Sequence, residues 1–303
     1  MSSTAQASNV NLEQGFASIL CNCLEQIRAN EAGLLSSADP EFVHQMRVGL
    51  RRLRSALGLF KRWFALPSDL SDEITWLSHV LGAVRDAEVL AHTTLPAISQ
   101  ASPNVPLLAL EKAAQAGARQ RRSAAAKAVK SRRYQTLMAR LALWIEERSW
   151  RESGTRSKPM GRALAGFAQR LLSKRVRKVR SQIRLCLRAQ ATASDRHRLR
   201  IAVKKARYAI EFFGGVVDTQ DRPSPASLAK IQKLLGQLND AEVGTALLQM
   251  PALAGPALLL PSAFVRGALW AQSQQLIAEL PALLRGFGPL QDHKAHPTEG
   301  APR

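Results

Sequence analysis

The segment VHQMRVGLRRLRSALGLF at 43–60 aligns with RHRLRIAVKKARYAIEFF at 196–213. The alignment pairs His44 with His197, Arg47 with Arg200, Arg51 with Lys204, Arg52 with Lys205, Arg54 with Arg207 and Phe60 with Phe213. A second pair follows in the same order, LGAVRDAEVL at 81–90 and LGQLNDAEVG at 235–244. Two ordered matches at nearly the same interval mark an internal duplication.

Each copy of the first segment is amphipathic at the helical period. On a helix of 3.6 residues per turn, His44, Arg47, Arg51 and Arg54 fall within a stripe roughly 80° wide. Met46, Leu50, Leu53, Leu57 and Phe60 step by four and three along the opposite side. The second copy repeats the division, with Leu199, Val203, Ala206, Ile210 and Phe213 on one face and His197, Arg200, Lys204 and Arg207 on the other. One face is expected to pack and the other to present cations.

The rest of the chain carries the same period. Ala, Leu, Arg, Gln and Lys fill its segments and alternating β-branched runs are hard to find, which is an all-α pattern. Helices are predicted at about 11–35, 41–64, 70–97, 105–130, 132–149, 160–190, 195–217, 225–248 and 262–286. Breaks are expected at Asp39-Pro40, Pro67-Ser68, Ser102-Pro103, Ser153-Gly154, Gly214-Gly215, Pro223-Ser224-Pro225 and Pro251. The duplication then implies two homologous four-helix bundles related by a pseudo-twofold axis, one half at about 11–150 and the other at about 158–287. Residues 1–10 and 288–303 are expected to be disordered tails.

Composition narrows the partner. Among 303 residues, 43 Lys and Arg stand against 23 Asp and Glu, a formal charge of +20. Such an excess repels itself in the folded state, so a polyanionic partner is the first expectation: nucleic acid, polyphosphate or an anionic membrane. Three cysteines, Cys21, Cys23 and Cys186, do not make a disulfide framework and fit a reducing cytoplasm. The N-terminus has neither the basic nor the apolar region of a signal peptide. The apolar run ALLLPSAFV at 257–265 is far too short to span a membrane, so a soluble protein with no membrane partner is expected.

A third stripe lies on the helix at 160–190, where Arg170, Lys174, Arg177, Ser181, Arg184 and Arg188 step by four and three. A fourth basic cluster runs through Arg119, Arg121, Arg122, Lys127, Lys130, Arg132 and Arg133. A solvated helix face normally mixes signs, since like charges at i, i+4 cost a few tenths of a kcal/mol each. The repeated stripes contain no acid, which favours a ligand over simple solvation; for the fourth cluster the two readings stand level. Arg suits bidentate recognition of phosphate oxygens, and guanidinium groups one helical turn apart, roughly 5 Å, suit a repeating anion.

His44 and His197 head their stripes and read as phosphate hydrogen-bond donors, or else as structural histidines. No metal site is expected, because neighbouring Arg and Lys repel a divalent cation and no ligand spacing is present. Asp86 with Glu88, and Asp240 with Glu242, are two residues apart and so point to different sides of a helix. Asp86 and Asp240 read as ion-pair partners that orient the basic side chains, in preference to catalytic acids. No phosphate loop, nucleophile elbow or zinc spacing is present, so the expectation is a binder with no cofactor and no enzymatic activity.

These residues resemble the CHAD family, histidine-marked α-helical domains built from two similar four-helix halves. The likeness rests on H-Q-M-R-V-G-L-R-R-L-R at 44–54, H-R-L-R-I-A-V-K-K-A-R-Y at 197–208, the two L-G-x-x-x-D segments and S-R-R-Y at 131–134, and it spans about 12–287 within a domain set at 11–287. The resemblance implies inorganic polyphosphate as ligand, bound in a basic channel between the halves, and association with polyphosphate granules in bacterial cytoplasm. It carries phosphate contact to His44, Arg47, Arg51, Arg54, His197, Arg200, Lys204 and Arg207, with Arg52 and Lys205 in the same set. Arg133, Lys233, Arg170, Lys174, Arg177 and Arg184 are further candidates. His79 stands where Lys233 stands in the second half, so the two faces need not contribute equally. Some family members carry an N-terminal triphosphate tunnel hydrolase domain; with the repeat so near the N-terminus, a stand-alone binder is expected here. Generic polyanion or weak nonspecific nucleic-acid binding is the first alternative, and a polyphosphate-processing enzyme using His44 or His197 the second.

Overall fold

The computed structural model describes residues 11–151, 163–217 and 224–287, and the expected tails at 1–10 and 288–303 lie outside them. The described residues form helices and no strand; a lone bridge joins Asn11 and Ala163. In chain order the α-helices are α1 (Leu12–Arg28), α2 (Glu31–Ser36), α3 (Pro40–Phe60), α4 (Ser68–Val89), α5 (Leu95–Ala101), α6 (Leu108–Lys130), α7 (Arg132–Glu146), α8 (Leu164–Cys186), α9 (Ala193–Phe213), α10 (Pro225–Leu248), α11 (Pro251–Ala254) and α12 (Leu259–Arg285).

Local chemistry starts the two repeat helices at corresponding places. Asp39 caps α3 by accepting from the Glu41 N–H, with Pro40 pre-set in the first turn. Thr192 and Asp195 form a capping box at the head of α9. Most of each expected apolar seam is buried, Met46, Leu50, Leu53 and Phe60 on α3 and Leu199, Val203, Ala206 and Phe213 on α9, while Leu57 and Ile210 are half-buried. On α8, Leu172, Val176, Val179 and Ile183 are buried beneath the basic stripe.

Two predicted helices differ. The helix expected over 11–35 breaks at Ala29–Asn30, where no Gly or Pro announces a stop. Gly33 explains the turn: a Cβ there would lie 2.1 Å from the Phe42 ring, so α2 folds tightly onto α3. The helix expected over 70–97 contains a π-turn at Leu90–Thr94, closed by Leu95 N–H donating to the Leu90 carbonyl. Pro96 follows at once, and the wider turn relieves its clash with the preceding turn and its missing donor.

Packing does not divide cleanly between the sequence halves. One core gathers α1, α3, α7 and Trp150 with Leu164, Phe167 and Leu172 of α8 and Phe213 of α9. A second belongs to the second half alone, between α8, α9, α10 and the end of α12. The third joins the end of α4 and the start of α6 to the end of α10 and the start of α12. The first and third cores therefore hold the halves together through buried apolar surface. The repeat-related helices touch each other, α3 against α9 and α4 against α10.

Candidate functional site: a basic cleft between the repeats

The outward face of α3 meets those of α8 and α9 across a cleft of about 750 Å³. Its walls carry Arg51 and Arg54 of α3, Lys61 and Arg62 just beyond it, Arg170, Lys174 and Arg175 of α8, and Lys204 and Lys205 of α9. No carboxylate is among its lining residues, while Trp63 and Phe167 supply apolar floor. Trp63 and Phe167 meet edge-on with ring centroids 5.0 Å apart, which holds that floor rigid.

Two of these cations are incompletely satisfied. The Nε atoms of Arg51 and Arg175 are buried and have no hydrogen-bond acceptor. Such a buried donor costs about 1–3 kcal/mol. Burial pushes Arg175 down from the ordinary guanidinium range. Burial, with Arg200, Arg51, Arg54 and Arg47 adding to it, brings Lys204 down to about 8. Packed cations raise the free energy of their own charged forms, so the cleft favours an incoming negative charge.

Next to the cleft, Arg47 and Arg200 face one another's fields along with Arg51. Arg47 Nη2 sits 3.9 Å from Asp86 Oδ1, a loose pair. Burial lowers Arg47 and raises Asp86 despite the pairing, so at this separation desolvation outweighs attraction. Burial lowers Arg200 as well, while Asp240, Glu242 and Asp86 act on it as opposing charges. Gly82 of the first L-G-x-x-x-D segment makes room: a Cβ there would lie 2.9 Å from Arg47 Nη1. His44 is half-buried, and burial followed by the Arg85 guanidinium holds it below the ordinary imidazole range.

Other sequence candidates lie elsewhere. Arg52 turns from the cleft to Glu211 of α9 at 2.6 Å and donates to Gln26 at 2.7 Å, tying the repeats together. Arg133 is clamped by Glu73 through two bonds of 2.6 and 3.1 Å and lies 4.1 Å over Trp76. Arg177, Arg184, His197, Arg207 and Lys233 are exposed but outside the cleft lining. From the fourth cluster, Arg122 is structural: it pairs with buried Glu88 at 3.1 Å and donates to the Ser37 and Asp39 carbonyls at the entry to α3. Glu88 and Asp86 thus serve two different arginines, as their spacing implied.

The sequence stripes missed Lys61, Arg62, Arg85 and Arg175. Lys61 and Arg62 fall just past the aligned segment, and Arg175 is one position off the α8 stripe. Arg85 lies within the second repeated segment, opposite Asn239 of the other copy. Among the described residues no cluster of three His, Cys, Asp or Glu side chains forms a metal-binding group. No helix of the described residues is long and apolar enough to cross a membrane.

The family model for the CHAD domain matches residues 18–249. The uncharacterized protein MT2285 of Mycobacterium tuberculosis is 29% identical over 224 residues, 70% of this chain and 40% of that protein. Rv2226 of the same species gives the same identity and coverage. The chain therefore spans under half the length of these curated relatives. The crystal structure of the CHAD domain from the plant Ricinus communis aligns with a TM-score of 0.79 and 36% identity, over 92% of this chain and 93% of that one. PptA from Streptomyces chartreusis has the same fold at a TM-score of 0.65 and 17% identity, over 91% of this chain and 99% of that one. With the family model matched over most of its length and its helices laid out as in the Ricinus domain, this chain belongs to the CHAD domain family.

Proposed function

We propose that the protein binds inorganic polyphosphate in the cleft between its repeats and performs no chemistry on it. The observation that carries this reading is the wall of nine Arg and Lys side chains, free of carboxylates and contributed by both halves. A linear anion with a charge on every unit can touch α3, α8 and α9 at once, and each phosphate that meets a cation relieves repulsion already present. The loose Arg47–Asp86 pair leaves Arg47 donors that a phosphate oxygen can complete.

Nucleic acid is the less favoured ligand. The cleft holds Trp63 and Phe167, but Phe167 is buried and contacts Trp63 edge-on, so no series of exposed rings stands ready to stack bases. The reading also includes residence at polyphosphate granules in bacterial cytoplasm.

The test is competition at near-physiological salt. Labelled long-chain polyphosphate is challenged with duplex DNA, single-stranded RNA and orthophosphate at equal phosphate concentration, and the mixture is then assayed for released phosphate. Retained, intact polyphosphate supports the proposal. Displacement by nucleic acid makes the cleft a generic polyanion surface, and Mg²⁺-dependent phosphate release makes the protein an enzyme.

A further inference from the structure

The two basic helices differ along one line of residues. On α3, Arg54, Gly58 and Lys61 step by four and three and so share one side of the helix. At the matching places of the second repeat stand Arg207, Glu211 and Gly214. Glu211 is taken up by Arg52 at 2.6 Å. Where α9 has a carboxylate, α3 therefore has a residue without a side chain, set between two cations roughly 10 Å apart along the axis.

That line is a ridge with a hollow on each side. Arg54, Gly58 and Lys61 line the basic cleft on the side of α8 and α9. The same three residues line a second recess, of about 400 Å³, on the side of α4. Gly236 and Gly267 are equally open helix glycines, but neither lines either hollow. Gly58 is exposed and a Cβ on it would meet nothing within 4 Å, so it leaves a notch in the ridge between the two.

The recess is made like the cleft, with cations at its rim above an apolar floor. Leu57, Phe64, Leu66 and Ile74 form the floor, and exposed Ser71 of α4 adds a hydroxyl. No carboxylate is among its lining residues. Of the acids in the first turns of α4, Asp69 is held by Arg140 and Glu73 by Arg133, and Asp72 lies outside the lining. Among the described residues neither Arg54 nor Lys61 has an ion-pair partner. A compact anion ends within the cleft. An extended chain with a charge on every unit is drawn on across the notch, because Arg54 and Lys61 face both hollows.

We propose that polyphosphate leaves the cleft over Gly58 and continues into the recess between α3 and α4, passing out over the first repeat rather than the second. Resting on the polyphosphate reading above, this path adds a preference for long chains over short ones.

Affinities for tripolyphosphate and for long-chain polyphosphate are measured on the wild type and two variants. Gly58→Glu puts in the notch the residue that α9 carries there; Gly267→Glu makes the same charge change at an open glycine of α12. Gly58→Glu is expected to lose about tenfold for the long chain and no more than about threefold for tripolyphosphate. Gly267→Glu should stay within about threefold of wild type for both. Equal losses of long-chain affinity in the two variants overturn the path.

A second readout places the chain directly. In a Cys21→Ser background, the thiol introduced by Ser71→Cys is expected to lose most of its reactivity toward iodoacetamide under bound long-chain polyphosphate. It should keep that reactivity under tripolyphosphate, and under the long chain once Gly58→Glu is added. Full-rate alkylation with the long chain bound overturns the path while leaving the cleft as the site. A wild type that binds neither chain overturns the polyphosphate reading and the path with it.

Discussion

Phe60 and Phe213 hold equivalent positions in the two repeats, and their rings meet with centroids 5.9 Å apart at 59°. Phe167 of α8 touches both, at 5.2 Å and 5.8 Å. The residues that end the two basic helices thus lock their halves together beneath the cleft. Leu90 and Gly244, equivalent in the second repeated segment, also meet: a Cβ on Gly244 would lie 3.8 Å from Leu90 Cδ1. Replacing Phe60 or Phe213 with Ala is expected to cost about 3–5 kcal/mol each. The double variant should fall short of the sum by about 0.5–1.5 kcal/mol, read from chemical denaturation.

Lys204 predicts a proton linkage. Its folded value of about 8 lies below the ordinary lysine value of 10.5. At about pH 8.5 the free protein therefore holds much of Lys204 neutral, and a bound polyanion restores the charge by taking up a proton. Calorimetry in buffers of differing ionisation enthalpy should show more uptake from this group at about pH 8.5 than at about pH 7.5, and Lys204→Met should remove the difference. For the unliganded protein, the unfolded chain keeps a proton that the folded state has lost. Lys204 thus makes stability rise as pH climbs from about 8 toward 10.5.

Gly82 and Gly236 are equivalent in sequence and different in space. A Cβ on Gly82 would displace the Arg47 guanidinium, whereas Gly236 has nothing within 4 Å. Gly82→Ala is expected to weaken polyphosphate binding about three- to tenfold without loss of stability, since the helix gains close to what the shift costs. Gly236→Ala should leave affinity unchanged and raise stability by about 0.5–1 kcal/mol. Binding isotherms and thermal melts on the two variants separate these outcomes.

Arg122 holds the entry to α3. Its removal leaves Glu88 buried without its partner and frees the Ser37 and Asp39 carbonyls. Arg122→Leu is expected to cost about 3–5 kcal/mol, with part recovered by adding Glu88→Gln, because the variant then buries no lone charge. Denaturation of the single and double variants reads the recovery.

The helical architecture and the burial of both repeat seams were legible because periodicity reports which face a helix buries, and Met46 through Phe60 keep that period without a lapse. The break at Ala29–Asn30 was not, since its cause is contact with Phe42, thirteen residues away from the point where the helix stops. For the site, Arg51, Arg54, Arg170, Lys174 and Lys204 were legible as members of acid-free stripes and line the cleft, whereas Lys205 was marked only by its alignment with Arg52. Arg52 and Arg133 belonged to equally basic runs, but Glu211 and Glu73 hold them. Which arginine a distant glutamate holds is decided by tertiary packing, which spacing within one helix does not record. Arg175 was missed for the converse reason: it lies one step off its stripe, yet it lines the cleft.

The most direct test compares two variants of equal charge change. Arg51→Ala/Arg175→Ala/Lys204→Ala empties the cleft of three cations. Arg119→Ala/Lys127→Ala/Lys130→Ala removes three exposed ones from α6. With labelled polyphosphate at near-physiological salt, the cleft variant is expected to lose about 100-fold or more in affinity and to flatten the salt dependence by about three charges; the α6 variant should lose no more than about threefold. Equal losses in the two would contradict the account and make net charge, rather than the cleft, the source of binding.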